Sequence, residues 1–130
     1  MWVRPERRDG DGLSVKLDNG HDEKNNFGIQ SAGSSGEEWV WRCNGMDIFL
    51  NLPLGKWTHF IVVADGERGV IRTYTNNIKV GEAKKDTNFE FGSTSLTIGK
   101  LAKVNERYFK GGIDEVVILD KAIDKLFLTR

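Results

Sequence analysis

Two acidic side chains stand next to each other near the end of the chain, in the segment RYFKGGIDEVVILDKAI at residues 107–123. Paired carboxylates suggest a glycosidase or a cation site, because retaining glycosidases need two carboxyl groups about 5 to 5.5 Å apart and calcium prefers oxygen ligands. The apolar residues around Asp114 and Glu115 predict a β-strand, in which neighbouring residues point to opposite faces. We therefore do not expect Asp114 and Glu115 to act as a catalytic pair.

The other residue types that carry chemistry give no active-site pattern. His21 and His59 are the only imidazoles, and no serine or cysteine lies in a nucleophile motif. The glycines of SAGSSGEE and FKGGID do not fit a phosphate-binding loop. DGDGLSVKLDNG, residues 9–20, lacks an oxygen ligand at Leu13 and the bidentate glutamate of a calcium loop at Gly20. The sequence predicts a protein that is not an enzyme.

Composition limits the possible partners. The chain has 130 residues, with 19 basic and 19 acidic residues that cancel, so we expect no binding to nucleic acid. The longest apolar run, FIVVA, is far below the roughly 20 residues of a membrane-spanning helix, and the charged N-terminal stretch does not resemble a signal peptide. Cys43 is the only cysteine, so no disulfide forms within the chain. The cysteine content therefore does not indicate whether the protein resides in an oxidising or a reducing compartment.

Short alternating segments separated by turn residues predict an all-β protein. Residues 13–17 and 27–31 should form one hairpin, and residues 38–43 and 47–52 a second one, with Asn44 and Gly45 at its turn. A third hairpin should join VIRTYT to IKVGEA, because Asn76 and Asn77 tolerate the positive φ of a tight turn.

Two further segments complete the predicted elements. KWTHFIVVADG, residues 56–66, is apolar in both phases and should lie in the middle of a sheet, buried on both sides. SLTIG and the opening residues should form strands, and AIDKLFL, residues 122–128, about two turns of helix. Many short strands at this spacing predict a β-sandwich or a barrel.

The segment GKWTHFIVVADGERGVIRTYTNN, followed by SLTIGK and YFKGGIDEVVILDKAI, resembles the laminin G-like, concanavalin A-like lectin/glucanase family over residues 55–126. In that family a Trp-x-His sequence opens a central strand, a Tyr-x-Asn-Gly hairpin follows, and a Phe-x-Gly-x-Ile-Asp-Glu strand leads into a short helix. MWVRP is similar to an early strand of the family. Asn77 stands where the family usually has glycine.

The resemblance implies a fold for the whole chain, an antiparallel two-sheet jelly roll with a short C-terminal helix. We expect one domain over residues 1–130 that lacks the strands that normally precede MWVRP, either because the chain is a fragment of a longer domain or because the domain is shortened. Exposed strand edges of a shortened jelly roll could then form a homodimer. The family's positions place Trp2, Trp57 and His59 in packing roles. The family's glucanases carry a Glu-x-Asp-x-x-Glu strand that this sequence lacks.

Aromatic residues are the best candidates for a binding site, because sugar rings stack on aromatic faces. Trp39 and Trp41 fall on the same face of one predicted strand, where they form either part of the core or an exposed platform. Tyr74 is out of phase with the residues expected to turn inward, so its ring should face outward beside Arg72. Possible polar partners for a sugar on the tryptophan platform are Arg42, Asn44 and Asp47.

Two functions remain open. The resemblance favours a non-catalytic carbohydrate-binding module that takes oligosaccharide or polysaccharide, on a secreted or cell-surface protein. The alternative is a structural or protein-interaction domain without a sugar site. Tryptophan fluorescence on adding oligosaccharides discriminates the two, because a stacking platform changes its exposure.

Asp114 also has two interpretations. In a strand through residues 113–119 it would share a face with Val116 and Ile118, which the family pattern turns inward. A carboxylate in that position needs a partner, because burial of an unpaired charge is unfavourable. The resemblance implies a structural calcium ion, held by such an aspartate together with backbone carbonyls. The alternative is an Asp114 that only accepts hydrogen bonds.

Overall fold

The computed structural model describes residues 1–6, 16–17, 26–31, 37–43, 45–84, 98–99 and 109–123. The described residues form nine strands: β1 (Trp2–Pro5), β2 (Lys16–Leu17), β3 (Asn26–Ser31), β4 (Glu38–Cys43), β5 (Met46–Asn51), β6 (Thr58–Asp65), β7 (Val70–Thr75), β8 (Ile78–Lys84) and β9 (Gly111–Asp114).

The strands make two antiparallel sheets. One has five strands in the order β8-β7-β6-β1-β9, and the other has four in the order β2-β3-β4-β5. Strand β5 contacts β7 and β8, so the two sheets pack face to face. A Cβ atom on Gly81 of β8 would overlap Cγ2 of Ile48 on β5, which shows how closely they approach. The all-β, two-sheet prediction is confirmed.

The core lies between the sheets, and its position is clearest in the strict alternation of buried and exposed residues along β5. On β5 the residues Met46, Ile48 and Leu50 are buried, while the residues between them are exposed. Their partners on β4 turn the same way, because residues opposite each other in an antiparallel pair share a face. Val3, Phe60 and Ile71 of the five-stranded sheet complete this core from the other side.

Strand β6 lies between β7 and β1, as its two-sided apolar pattern predicts. Phe60 faces the core, and Val63 and His59 are buried on the opposite side. The strand begins only at Thr58, however, so the core position predicted for Trp57 is wrong: its side chain is 45% exposed.

The tight hairpin between β7 and β8 is confirmed. Asn76 and Asn77 have φ values of 48° and 69°, and Thr75 pairs with Ile78 on either side of them. Two consecutive residues with positive φ give the twist that suits a two-residue hairpin. The β2–β3 and β4–β5 hairpins also form where the sequence predicts them.

The predicted strand through residues 113–119 is wrong beyond Asp114. Asp114 pairs with Trp2 at the end of the β1–β9 ladder, and Glu115 has a φ of 50°, which takes the backbone out of the extended conformation. Asp114, Val116 and Ile118 are all exposed, so this set does not face the interior.

The predicted C-terminal helix is not shown. Ala122 and Ile123 are not helical, and residues 124–128 lie outside the described part of the chain. Residues 95–97 of the predicted SLTIG strand lie outside it as well. None of the described segments forms a helix with the length and apolar character needed to cross a membrane.

Candidate functional site

The two tryptophans predicted as core or platform belong to the core. Trp39 and Trp41 are 2% and 0% exposed, and they point between the sheets from β4. Trp41 pairs with Ile29 and Ile48, and the Trp39 ring meets Phe109 edge to face at a centroid distance of 6.0 Å. Rings buried in this way cannot stack on a sugar, so the exposed platform predicted as the alternative is wrong.

The opposite side of β5 is exposed and carries a different aromatic ring. Phe49 of β5 is 57% exposed, because it alternates with the buried Ile48 and Leu50. We call this side the outward face of the four-stranded sheet. Ladder register places on it Gln30, Glu38, Val40, Arg42, Asp47, Phe49 and Asn51, of which Val40 is only 1% exposed.

Two of the predicted polar residues meet on this outward face. Arg42 and Asp47 are direct partners in the β4–β5 ladder, and Arg42 Nε donates to Asp47 Oδ1 at 3.2 Å. Both side chains are more than one-third exposed, so the pair is accessible to solvent. Asn44, the third polar candidate, lies outside the described residues.

Phe49 stands beside these groups in a regular arrangement. It pairs with Val40, which in turn pairs with Gln30 on β3, and the Arg42–Asp47 pair lies two residues along the same ladder. Phe49 is not among the residues predicted from the sequence. The sequence does contain a signal for an outward-facing ring: in MDIFLN, Phe49 is out of phase with Met46, Ile48 and Leu50 and therefore points to the opposite face of the strand.

Tyr74 lies on the other sheet and does not join this face. It is half-buried on β7, opposite Ile61 on one side and Lys79 on the other. Arg72, expected outward beside it, is buried, with its Nη1 3.8 Å from Asp65 Oδ2.

A second exposed aromatic, Trp57, sits on the side of the five-stranded sheet that faces away from the core. The Arg4 guanidinium lies 5.4 Å from its ring centroid, and a Cβ on Gly112 would come within 2.5 Å of the ring. Trp57 therefore lies beside the Arg4 guanidinium and packs on the backbone of Gly112, which has no side chain. Nearby, His59 is buried with the Trp2 ring edge-on at 5.1 Å, which confirms its packing role.

Asp114 ends β9 as an exposed residue whose Oδ1 accepts a hydrogen bond from the Glu115 backbone N–H at 2.8 Å. Within the described ranges no three His, Cys, Asp or Glu side chains come together as a metal site. The calcium site at Asp114 stays a prediction. One electrostatic shift is resolved nearby: burial lowers the pKa of the Met1 amino group, and the negative charge of Glu115 opposes the shift.

Two antiparallel sheets packed face to face form a β-sandwich. A family model described as the Concanavalin A-like lectin/glucanases superfamily matches residues 1–125. The chain belongs to this superfamily. Comparisons with curated proteins and with solved structures gave no significant match.

Proposed function

We propose that this chain is a non-catalytic carbohydrate-binding module, and that its sugar lies on the outward face of the four-stranded sheet. The observation that carries the proposal is the exposed Phe49 ring beside the solvent-accessible Arg42–Asp47 pair, in a member of a lectin-containing superfamily. Fold alone does not assign function, so the proposed sugar site rests on the chemistry of this face.

A sugar presents an apolar ring face and a rim of hydroxyl groups, and the outward face offers a partner for each. Phe49 supplies an aromatic surface for stacking. Arg42 supplies fixed N–H donors, and Asp47 supplies carboxylate acceptors. Arg42 Nε and Asp47 Oδ1 lie 3.2 Å apart, so the donors and acceptors stand side by side on this face.

The acidic residues of this face do not favour catalysis. Glu38 and Asp47 lie four residues apart along the ladder, roughly 13 Å at the rise of an antiparallel strand. Glycosidases place their two carboxyl groups about 5 to 9.5 Å apart. We therefore propose that purified protein releases no reducing sugar from β-glucans or other polysaccharides. Release that is abolished by Glu38→Gln or Asp47→Asn would contradict this.

The proposal is tested on a glycan array, with and without calcium, followed by titration of the best-bound oligosaccharide into two variants. Phe49→Ala should weaken binding at least tenfold, since stacking on an aromatic ring contributes about 1 to 3 kcal/mol in comparable ring-on-ring contacts. Ile78→Ala is the matched control, because it removes a similarly exposed apolar side chain from the other sheet. Equal affinity of wild type and Phe49→Ala, or no bound glycan on the array, would reject the site.

A second function rests on a different observation. Residues 116–119, VVIL, are each 38 to 62% exposed, and such a contiguous apolar run is typical of a protein-interaction surface. If the array is empty while this run binds another polypeptide, the domain serves interaction and not sugar binding. We place either function in a secreted or cell-surface protein, where laminin G-like domains are often found. Fractionation of cells that express the tagged chain tests this location.

A further inference from the structure

Trp57 lies at the corner of the five-stranded sheet where β1 ends and β9 begins. Gly55 N donates to Pro5 O at 2.6 Å, which ties the segment before β6 to the end of β1. The Trp57 ring lies beside Gly112, which is the ladder partner of Arg4. This corner is at the opposite end of β1 from Met1, and Trp57 is 45% exposed there.

A glycine keeps the Trp57 ring close to the sheet. A Cβ on Gly112 would lie 2.5, 2.9 and 3.4 Å from Cη2, Cζ2 and Cζ3 of Trp57, so a residue with a side chain at this position would displace the ring. The Arg4 guanidinium lies 5.4 Å from the ring centroid, within the range of a cation–π contact. The corner thus holds a large aromatic ring against the backbone while nearly half of Trp57 stays open to solvent.

Charged side chains lie on the same face as this ring. Glu6 N donates to Lys110 O at 2.9 Å, which continues the β1–β9 pairing by one position. Because side chains alternate along a strand, Glu6 shares a face with Arg4, and Lys110 shares it with Gly112 at a distance of roughly 7 Å along the chain. Both Glu6 and Lys110 are exposed.

The charge at this corner is positive among the residues that the structure describes. Arg4 Nη2 donates to Glu6 Oε1 at 2.5 Å, so these two charges offset each other. Lys110 remains, together with Lys56, which is exposed directly before Trp57. Since the whole chain carries no net charge, the patch suits a small anion better than a long polyanion such as nucleic acid.

An exposed indole ring beside ammonium groups matches the chemistry of an acidic sugar. The apolar face of a pyranose ring stacks on an aromatic side chain. A carboxylate on that ring pairs with Lys110 or with the Arg4 guanidinium, and charge-assisted contacts of this kind are stronger than neutral hydrogen bonds. The Glu6 carboxylate accepts hydrogen bonds from the sugar hydroxyls. A neutral sugar would gain nothing from the positive charge.

We propose that Trp57, Arg4, Glu6 and Lys110 form a second saccharide site, which takes a sugar ring that bears a carboxylate, a hexuronate. Trp57 stacks on the sugar ring, and the cations bind its carboxylate. This site lies on the five-stranded sheet and shares no residue with the outward face of the four-stranded sheet. Either site can therefore be present without the other.

The test titrates two matched ligands into the isotopically labelled chain: tetragalacturonate and its methyl ester, which keeps the rings and removes the charge. Chelator is present, so that calcium cannot link the carboxylates to the protein. We expect saturable shifts of the Trp57 indole N–H and of the backbone amides of Glu6, Lys110 and Gly112. The ester should bind about two- to fivefold more weakly. Shifts confined to the outward face of the four-stranded sheet would overturn this second site and support the first one.

Variants of the chain separate stacking from charge. Trp57→Leu should weaken both ligands at least about fivefold, because it removes the aromatic surface. Lys110→Gln should weaken only the acid, while Lys79→Gln, the same change at an exposed residue of β8, should weaken neither. Glu6→Gln removes a negative charge and should strengthen the acid relative to the ester.

The exposed positions keep the test decisive even if Trp57→Leu fails to fold, which urea unfolding shows. Equal affinity for the acid and the ester would overturn the proposal, as would equal affinity of wild type and Lys110→Gln for the acid. Absence of shifts at millimolar ligand would do the same. Tighter binding of a thymidine oligonucleotide of equal charge at Trp57 would also reject it, because the ring would then serve a nucleic acid base.

Discussion

At the residue scale, the phase of an aromatic ring in its strand decides whether it stabilises the fold or is available to a ligand. Trp39 and Trp41 share a phase with Cys43, and all three point into the core. Phe49 belongs to the neighbouring strand in the opposite phase and points to solvent. The sequence shows that Trp39 and Trp41 share a face. It does not show which face is inside, because that depends on the sheet packed against it.

Trp41→Ala should destabilise the domain severely. The side chain is fully buried between Ile29 and Ile48, and truncation of a buried tryptophan to alanine costs about 3 to 5 kcal/mol. Phe49→Ala is the matched variant on the exposed side, and it should change the free energy of unfolding by less than about 0.5 kcal/mol. Urea unfolding measures both. Similar losses for the two variants would contradict the assignment of the two faces.

Asp114 offers a test that separates a hydrogen-bond role from a metal role. In chelator, Asp114→Asn should keep the acceptor for the Glu115 N–H and unfold near wild type, while Asp114→Ala should lose about 1 kcal/mol. If Asp114 also holds calcium, millimolar calcium should raise the melting temperature of wild type but not of Asp114→Asn, because a ligand of the native state stabilises it. An equal response of both proteins to calcium would exclude Asp114 as a ligand.

At the scale of the elements, local sequence patterns predicted the hairpins. Whether the other apolar segments form strands depends on the neighbouring strands with which they can pair. Alternation and turn residues are carried by the segment itself, so the β4–β5 and β7–β8 hairpins could be predicted. The apolar run after Asp114 also reads as a strand, but a strand needs a neighbour. Its ladder with β1 ends at Trp2, so the pattern of residues 115–119 alone does not make them a strand.

The two asparagines of the β7–β8 turn should respond differently to glycine. Both have positive φ, which favours glycine, but only Asn76 holds a neighbouring strand: its Oδ1 accepts from His59 N at 3.0 Å and its N donates to His59 O at 2.8 Å. Asn77→Gly should therefore be neutral or slightly stabilising, while Asn76→Gly should lose about 1 kcal/mol. Thermal unfolding of the two variants measures this. A larger loss for Asn77→Gly would show that the Oδ1 contact is unimportant.

At the scale of the whole molecule, the packing of the two sheets determines which surfaces are free. Contacts of β5 with β7 and β8 bury one side of the four-stranded sheet, while Asp47, Phe49 and Asn51 on the other side of β5 are exposed. This packing is why the sequence alone left open whether Trp39 and Trp41 belong to the core or to an exposed platform. Self-association through open strand edges stays a prediction.

The stability of the whole chain should depend on the Met1 amino group. Burial lowers its pKa in the folded state, so the unfolded chain binds more protons between that lowered pKa and the ordinary value of about 7.7 to 8.0. The free energy of unfolding should therefore rise with pH across this window, and the penalty for the buried ammonium is fully present below it. Acetylation of the amino group removes the charge but leaves an N–H for Phe60 O and every other titrating group unchanged. Urea unfolding of both forms from about pH 6 to 9 should give a steeper rise for the free amine. Parallel curves would show that the ammonium at the end of β1 is fully solvated.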